Sequence, residues 1–156
     1  MIAKIMATKK SQQGTTAVEF AIVGVVFFTV LFGLIDLSRI FFQVAALDES
    51  TRRGARVAAV CPVNDPSVAQ TALFAGLVPT LASGNILLQY LDVNGVVVGA
   101  PAGAGYGDIR YVRVAIQNFQ IQTFIPGLAA VISMPAFATT IPSESLGRVG
   151  IADVPC

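Results

Sequence analysis

Few side chains in this 156-residue sequence are equipped for chemistry. There is no histidine, all three lysines (Lys4, Lys9 and Lys10) precede residue 11, and Ser, Asp and Glu are scattered. The common bases that activate a nucleophile are therefore missing, and no catalytic residue or cofactor is expected. Two cysteines cannot supply the closed four-ligand site of a structural zinc. The stretch Gly99 to Gly107, GAPAGAGYG, has the glycine content of a phosphate loop, but no Lys-Ser or Lys-Thr follows it. The next element reads as a strand, so no helix amino terminus is at hand for a phosphate, and the stretch reads as a flexible connection between strands. Three spacings remain: a glycine, Gly14, five residues before Glu19; charged pairs between residues 48 and 56; and Cys61 with Cys156.

Glu19 heads an apolar run. Phe20 to Ile35 carries no charge and only Thr29 as a polar side chain. Its sixteen residues make about 24 Å of helix, short of a hydrocarbon core of about 30 Å. Extension from Ala17 to Leu37 gives about 31 Å and takes in Glu19 and Asp36, one near each interface. Lysines before the span and none after it put the amino terminus in the cytoplasm, so residues 38 to 156 face outward, into the periplasm of a Gram-negative cell. A cleaved secretory signal is the alternative, with Val44-Ala45-Ala46 as its small-residue site. The apolar stretch is longer than the usual signal core, and Asp36 and Arg39 intervene before those small residues.

Composition agrees with a membrane anchor. The chain is 54% apolar and 12% charged with mean hydropathy +0.73, against about 25% charged in ordinary soluble domains. Intrinsic disorder is excluded, because it requires low hydrophobicity and high net charge, and here the net charge is +1. A nucleic-acid reader is excluded by the small number of basic residues. Past Gly14, seven arginines face nine acids, a net of −2, so the positive charge of the amino terminus is a separate, local device.

The glycine-to-glutamate spacing has a physical logic of its own. Glycine before a scissile bond puts no side-chain bulk in the way of a protease that must admit extended backbone beside the bilayer. A carboxylate inside a span is expensive unless paired, so intramembrane acids are functional candidates. The bland reading is an interfacial acid favoured by the helix dipole of an ordinary signal-anchor. Lys9-Lys10-Ser11-Gln12-Gln13-Gly14, followed by Thr15-Thr16-Ala17-Val18-Glu19-Phe20, resembles a prepilin leader. In type IV pilins and pseudopilins a membrane-embedded prepilin peptidase cuts after a glycine, and a glutamate is fifth in the mature chain. The resemblance implies a cut between Gly14 and Thr15, with Glu19 neutralising the new amino group of a neighbouring Thr15 and so setting axial register.

Beyond Asp36 the apolar pattern narrows to a stripe, Leu37, Phe41, Val44, Leu47, Thr51, Ala55 and Ala58, uninterrupted by proline until Pro62. This predicts one helix from about Thr15 to about Val60. Asp48 with Arg52 and Glu49 with Arg53 are spaced i to i+4, acid first, each worth about 0.2 to 0.5 kcal/mol. The string GTTAVEFAIV, followed by FGLIDLSRIFFQVAALDESTRRGARVAAV, is similar to TadE-type pseudopilins of the tight-adherence, or Flp, pilus system. Gly33, Asp36 and Arg39 match that family's Gly-x-x-acid-x-x-Arg element, and Arg53, Gly54, Ala55 and Arg56 match its Ala-Arg-x-Gly-Ala-Arg-like block. Thr51-Arg52-Arg53 departs from it, standing where the family commonly carries Ala-Arg-acid. The implied partners are the prepilin peptidase, a major Flp-type pilin, a second pseudopilin, the inner-membrane assembly machinery and the lipid bilayer.

For the outer part, Asp65-Pro66 predicts a capped restart and a short helix from Val68 to Val78. Ile86 to Val93 and Val96 to Val98 flank Asn94-Gly95, a hairpin signal. Ile109 to Gln117 alternates as a third strand, Phe119 to Phe124 extends it, and Met134 to Ile141 is a fourth candidate. The expected fold class is α+β and type IV pilin-like. It comprises a leader over 1–14, a long helix over 15–60 with a span at about 17–37, and an outer domain over 61–156 with a short second helix and a small antiparallel sheet. The outward topology puts Cys61 and Cys156 where disulfides persist. A bridge would tie the carboxyl terminus to the top of the long helix, with nominal stabilisation of about 4.7 kcal/mol for a 100-residue loop; two free thiols are the alternative.

Two functions fit. One is an assembly protein, a minor pilin or pseudopilin in the inner membrane, at the pilus base or within the filament. The other is a permanently anchored periplasmic binding or sensor module with an uncleaved signal-anchor.

Overall fold

The computed structural model describes residues 13–122, 131–133, 137–149, 152–153 and 156. Lys4, Lys9 and Lys10 of the expected leader lie outside them. One helix, α1, runs from Gln13 to Val60, and its 48 residues reach about 72 Å. It is already helical at Gln13, the first described residue, and so covers the expected range from Thr15 to Val60. Cys61-Pro62 ends it, as proline requires.

Distant residues cap the end of α1. The Glu144 and Leu146 amides donate to the Ala59 carbonyl at 3.0 and 3.2 Å, and the Gly147 amide donates to Val60 at 2.6 Å. The Ser145 hydroxyl donates to the same Val60 oxygen at 3.1 Å. These satisfy carbonyls that a helix terminus otherwise leaves without partners.

The second helix, α2, spans Pro66–Ala72. Asp65 caps it, accepting the Ser67 amide at 2.8 Å, and proline opens it, as the sequence suggests. It ends well short of Val78. Phe74, Ala75 and Gly76 take φ of 50°, 53° and 75°, a left-handed turn that no right-handed helix can contain. A 3₁₀ turn, Phe74–Gly76, leads the chain back along α1.

Three antiparallel strands, β1 (Ile86–Leu91), β2 (Tyr111–Ile116) and β5 (Phe137–Pro142), form a sheet in the order β1-β2-β5. Register pairs Leu88 with Val114 and Val114 with Thr139. The alternation read in β2 holds in part: Val112, Val114 and Ile116 are buried and Tyr111 is exposed, but Ala115, on the opposite face, is buried as well. The Asn94-Gly95 turn forms, with Gly95 at φ +78° and the Asp92 amide donating to Val96 at 2.9 Å. Its second arm joins β1 only through a bridge between Leu91 and Val97. Gln120–Gln122 (β3) pairs with Val131–Ser133 (β4) as a separate ribbon. Residues 123–124 and 134–136 of the expected strands lie outside the described residues. A last ribbon pairs Arg148–Val149 (β6) with Ala152–Asp153 (β7).

Gly99 to Gly107 departs from the flexible connection expected. Gly103 and Gly105 both donate to the Ala100 carbonyl, and a β-carbon on Gly105 would collide with the Gly99 carbonyl and the Val98 side chain. The glycines here allow a tightly folded turn that leads into the 3₁₀ segment Tyr106–Asp108.

The sheet and α2 both pack on the outer half of α1, forming two cores. Ala55, Ala58, Val68, Tyr90, Val112 and Val114 meet in the upper one. Ala46, Leu47, Val78, Leu81, Ile116 and Ile121 meet in the lower one, nearer the apolar half of α1.

Candidate functional site

The residues singled out in the sequence fall at three levels along α1. At the base, Gly14, Thr15 and Glu19 are exposed in its first turns. Among the described residues nothing lies within 4 Å of where a Gly14 β-carbon would stand.

Above this lies an uncovered apolar surface. In the most apolar stretch of α1, mean hydropathy reaches 2.5 and none of the window is buried by the rest of the chain. Phe20, Val23, Phe27, Val30, Leu34 and Leu37 are all exposed. A soluble domain does not present such an area to water. The hydroxyl of Thr29 donates to the Val25 carbonyl at 2.7 Å, so the one polar side chain of the run is satisfied within the helix. Length, composition and exposure together fit a membrane anchor.

Gly33, Asp36 and Arg39, at steps of three, share one face of α1. Asp36 is only 5% exposed and pairs with Arg39 at 3.6 Å. This spacing places an acid and a base in mutual contact on α1 beyond Ile35.

At the outer level, the block Arg53 to Arg56 divides between inside and outside. Gly54 lies where a β-carbon would stand 2.9 Å from the Ala72 β-carbon of α2 and 3.2 Å from Val114 Cγ1 of β2. Ala55 is fully buried beside it. The two small residues are the point where both α2 and the sheet approach the long helix. Arg53 and Arg56 stay exposed. Arg53 Nε donates to Glu49 Oε1 at 2.8 Å, and its guanidinium lies 3.8 Å over the Phe74 ring. That cation–π contact holds the left-handed turn against α1. The partner pair Asp48 and Arg52 also forms, at 2.8 Å. Hydrogen bonding to Arg53 keeps the Glu49 carboxyl below its ordinary value.

Several positioning residues escaped the sequence reading. The Ser50 hydroxyl donates to the Ala72 carbonyl, and the hydroxyls of Thr51 and Thr139 lie 2.8 Å apart. Ser50 and Thr51 are both buried. Thr51 lay on the helix stripe, which was the available signal, but its partner was not visible. The Tyr90 hydroxyl accepts the Asn64 amide at 2.9 Å, and burial pushes its phenol above the ordinary value.

Cys61 and Cys156 are joined, with Cα atoms 5.6 Å apart across 95 positions of sequence. Cys61 is buried at the head of α1. Among the described residues no group of His, Cys, Asp or Glu is arranged to hold a metal ion.

A family model described as TadE-like protein matches residues 14–56. No curated protein and no solved structure matches the chain. The matched segment begins at Gly14 and ends at Arg56, and it spans the exposed base, the apolar surface and the packing block of α1. Residues 14–56 of this chain are thus similar to the TadE-like family model.

Proposed function

We propose that the chain is a minor pilin or pseudopilin of a tight-adherence pilus, acting by association and performing no catalysis. It is held as a single-pass protein of the bacterial inner membrane, with its amino terminus in the cytoplasm and its outer domain in the periplasm. A prepilin peptidase cuts between Gly14 and Thr15. Glu19 then neutralises the Thr15 amino group of a neighbouring subunit and sets register, while α1 packs beside a major Flp-type pilin and a second pseudopilin. The inner-membrane assembly machinery draws the subunit from the bilayer.

The observation that carries this reading is the division of α1. Its inner half is apolar and uncovered, and its outer half is packed into a domain through Gly54 and Ala55. Such a helix is suited to moving from lipid to neighbouring helices, because both environments accept the same apolar surface.

Amino-terminal sequencing of membrane-extracted protein, with and without the prepilin peptidase, tests the proposal. A chain beginning at Thr15 only when the peptidase is active is expected. An intact Met1 in the presence of active peptidase sinks the pilin reading and leaves the anchored binding module. Glu19→Gln or Glu19→Leu is expected to leave insertion intact and impair assembly; unchanged piliation removes the role given to Glu19.

A further inference from the structure

Charge alone places the outer end of the span near Asp36 and Leu37. Exposure does not stop there. Leu37 is 47% exposed, Phe41 65% and Phe42 54%, continuing the apolar surface that begins at Val18. Just beyond Phe42 the helix changes. Val44, with Ile40 below it, packs against the lower core, Leu47 is fully buried, and the positions left open are Ala45 and then Arg52, Arg53 and Arg56.

The polar residues between Ile35 and Phe42 do not require water. The Ser38 hydroxyl donates to the Leu34 carbonyl at 2.8 Å, as Thr29 does one level below. Asp36 is buried and paired with Arg39, whose long side chain is half-exposed. A buried acid with a cationic partner and a self-bonded hydroxyl are forms in which lipid tolerates polar groups. An arginine near a helix end also extends its guanidinium toward headgroups.

We infer that the outer leaflet of the bilayer is the partner of Leu37, Phe41 and Phe42. The lipid-facing surface runs from Phe20 to Phe42 on the side the domain leaves open, and the packed domain sits at the membrane surface with its lower core reaching down to Ile40. These 23 positions make about 35 Å of helix, enough to cross a core of about 30 Å with a modest tilt. Glu19 then lies at the inner interface, outside the hydrocarbon, and the Asp36–Arg39 pair lies inside the outer leaflet. This rests on the reading of α1 as a membrane span.

The chain contains no tryptophan, so a single introduced one is a unique depth probe. Full-length Phe28→Trp, Phe42→Trp and Arg52→Trp are reconstituted in phosphatidylcholine vesicles with or without bromine in the acyl chains. Iodide is added outside as the aqueous quencher. Phe42→Trp is expected to lose about half of its emission to brominated lipid and to resist iodide, as an interfacial or deeper residue does. Arg52→Trp shows the reverse. Phe41→Trp repeats the measurement should Phe42→Trp fail to fold. Quenching of Phe28→Trp by bromine while Phe42→Trp answers only to iodide overturns the inference and leaves the span standing. A Phe42→Trp that neither quencher reaches is covered by protein, which also overturns it. A Phe28→Trp blind to brominated lipid sinks the membrane reading itself.

Discussion

The hydroxyl of Thr51 on α1 meets the hydroxyl of Thr139 on β5 at 2.8 Å, across 88 positions of sequence. Thr51 also donates to the Asp48 carbonyl at 2.8 Å and is fully buried. The contact fixes the edge strand of the sheet to the long helix at one height. Removing a partner from a buried hydrogen bond costs more than the bond contributes, because the remaining group keeps its desolvation penalty.

Thr51→Val and Thr139→Val are each expected to lower stability by about 1 to 3 kcal/mol, and the double variant by less than the sum. Guanidinium unfolding of the detergent-solubilised chain measures this. Strict additivity would show that the two hydroxyls do not interact.

Gly54 is expected to be intolerant of a methyl group. A β-carbon there stands 2.9 Å from that of Ala72 and 3.2 Å from Val114. Gly54→Ala should destabilise by about 1 to 3 kcal/mol through overpacking, although alanine is the better helix former. Adding Ala72→Gly should return part of the loss. A Gly54→Ala chain as stable as the parent would mean that α2 does not approach α1 this closely.

The Cys61–Cys156 bridge should contribute about 2 to 5 kcal/mol, since it closes a long loop in the unfolded chain. Thermal melting with and without a thiol reductant reads the difference, and the double variant Cys61→Ser with Cys156→Ser should match the reduced protein. Maleimide labelling of the native chain before any reduction would contradict the bridge.

Acid should weaken the outer domain. Hydrogen bonds from Ser67 hold the Asp65 carboxyl below the ordinary carboxylate range, and those from the Val96 and Asn94 amides do the same for Asp92. A carboxyl lowered in the folded state stabilises at pH above its unfolded value and loses that contribution as pH falls through the folded one. The loss therefore develops below about pH 4. Asp65→Asn with Asp92→Asn should flatten the acid limb of a plot of stability against pH, with little change near neutrality, because asparagine also caps helices. An unaltered acid limb would assign it to other groups.

Local rules carried much of the fold. The apolar run from Phe20 and the basic residues before it follow from hydropathy and charge order, which need no neighbours. The length of α1 follows from its stripe and the absence of proline before Pro62, and the start of α2 from Asp65-Pro66. The alternation of β2 and the Asn94-Gly95 turn likewise depend on adjacent residues.

The tertiary structure decided what depends on distant ones. The left-handed turn at Phe74 to Gly76 stops α2 at Ala72, against helical propensity, under the Arg53 guanidinium. Residues 144–147 cap α1, although nothing in their own sequence marks them as a cap. Gly54 read as one residue of a family block until α2 and β2 closed on it from two sides. Asp36 looked like the outer limit of the span, and it is buried and paired, while the apolar surface continues past it to Phe42. A sequence determines the periodicity of each element and the sign of each charge. Which faces meet, and so which side chains are left for lipid or a neighbour, is fixed only when segments far apart in the chain exclude water from one another.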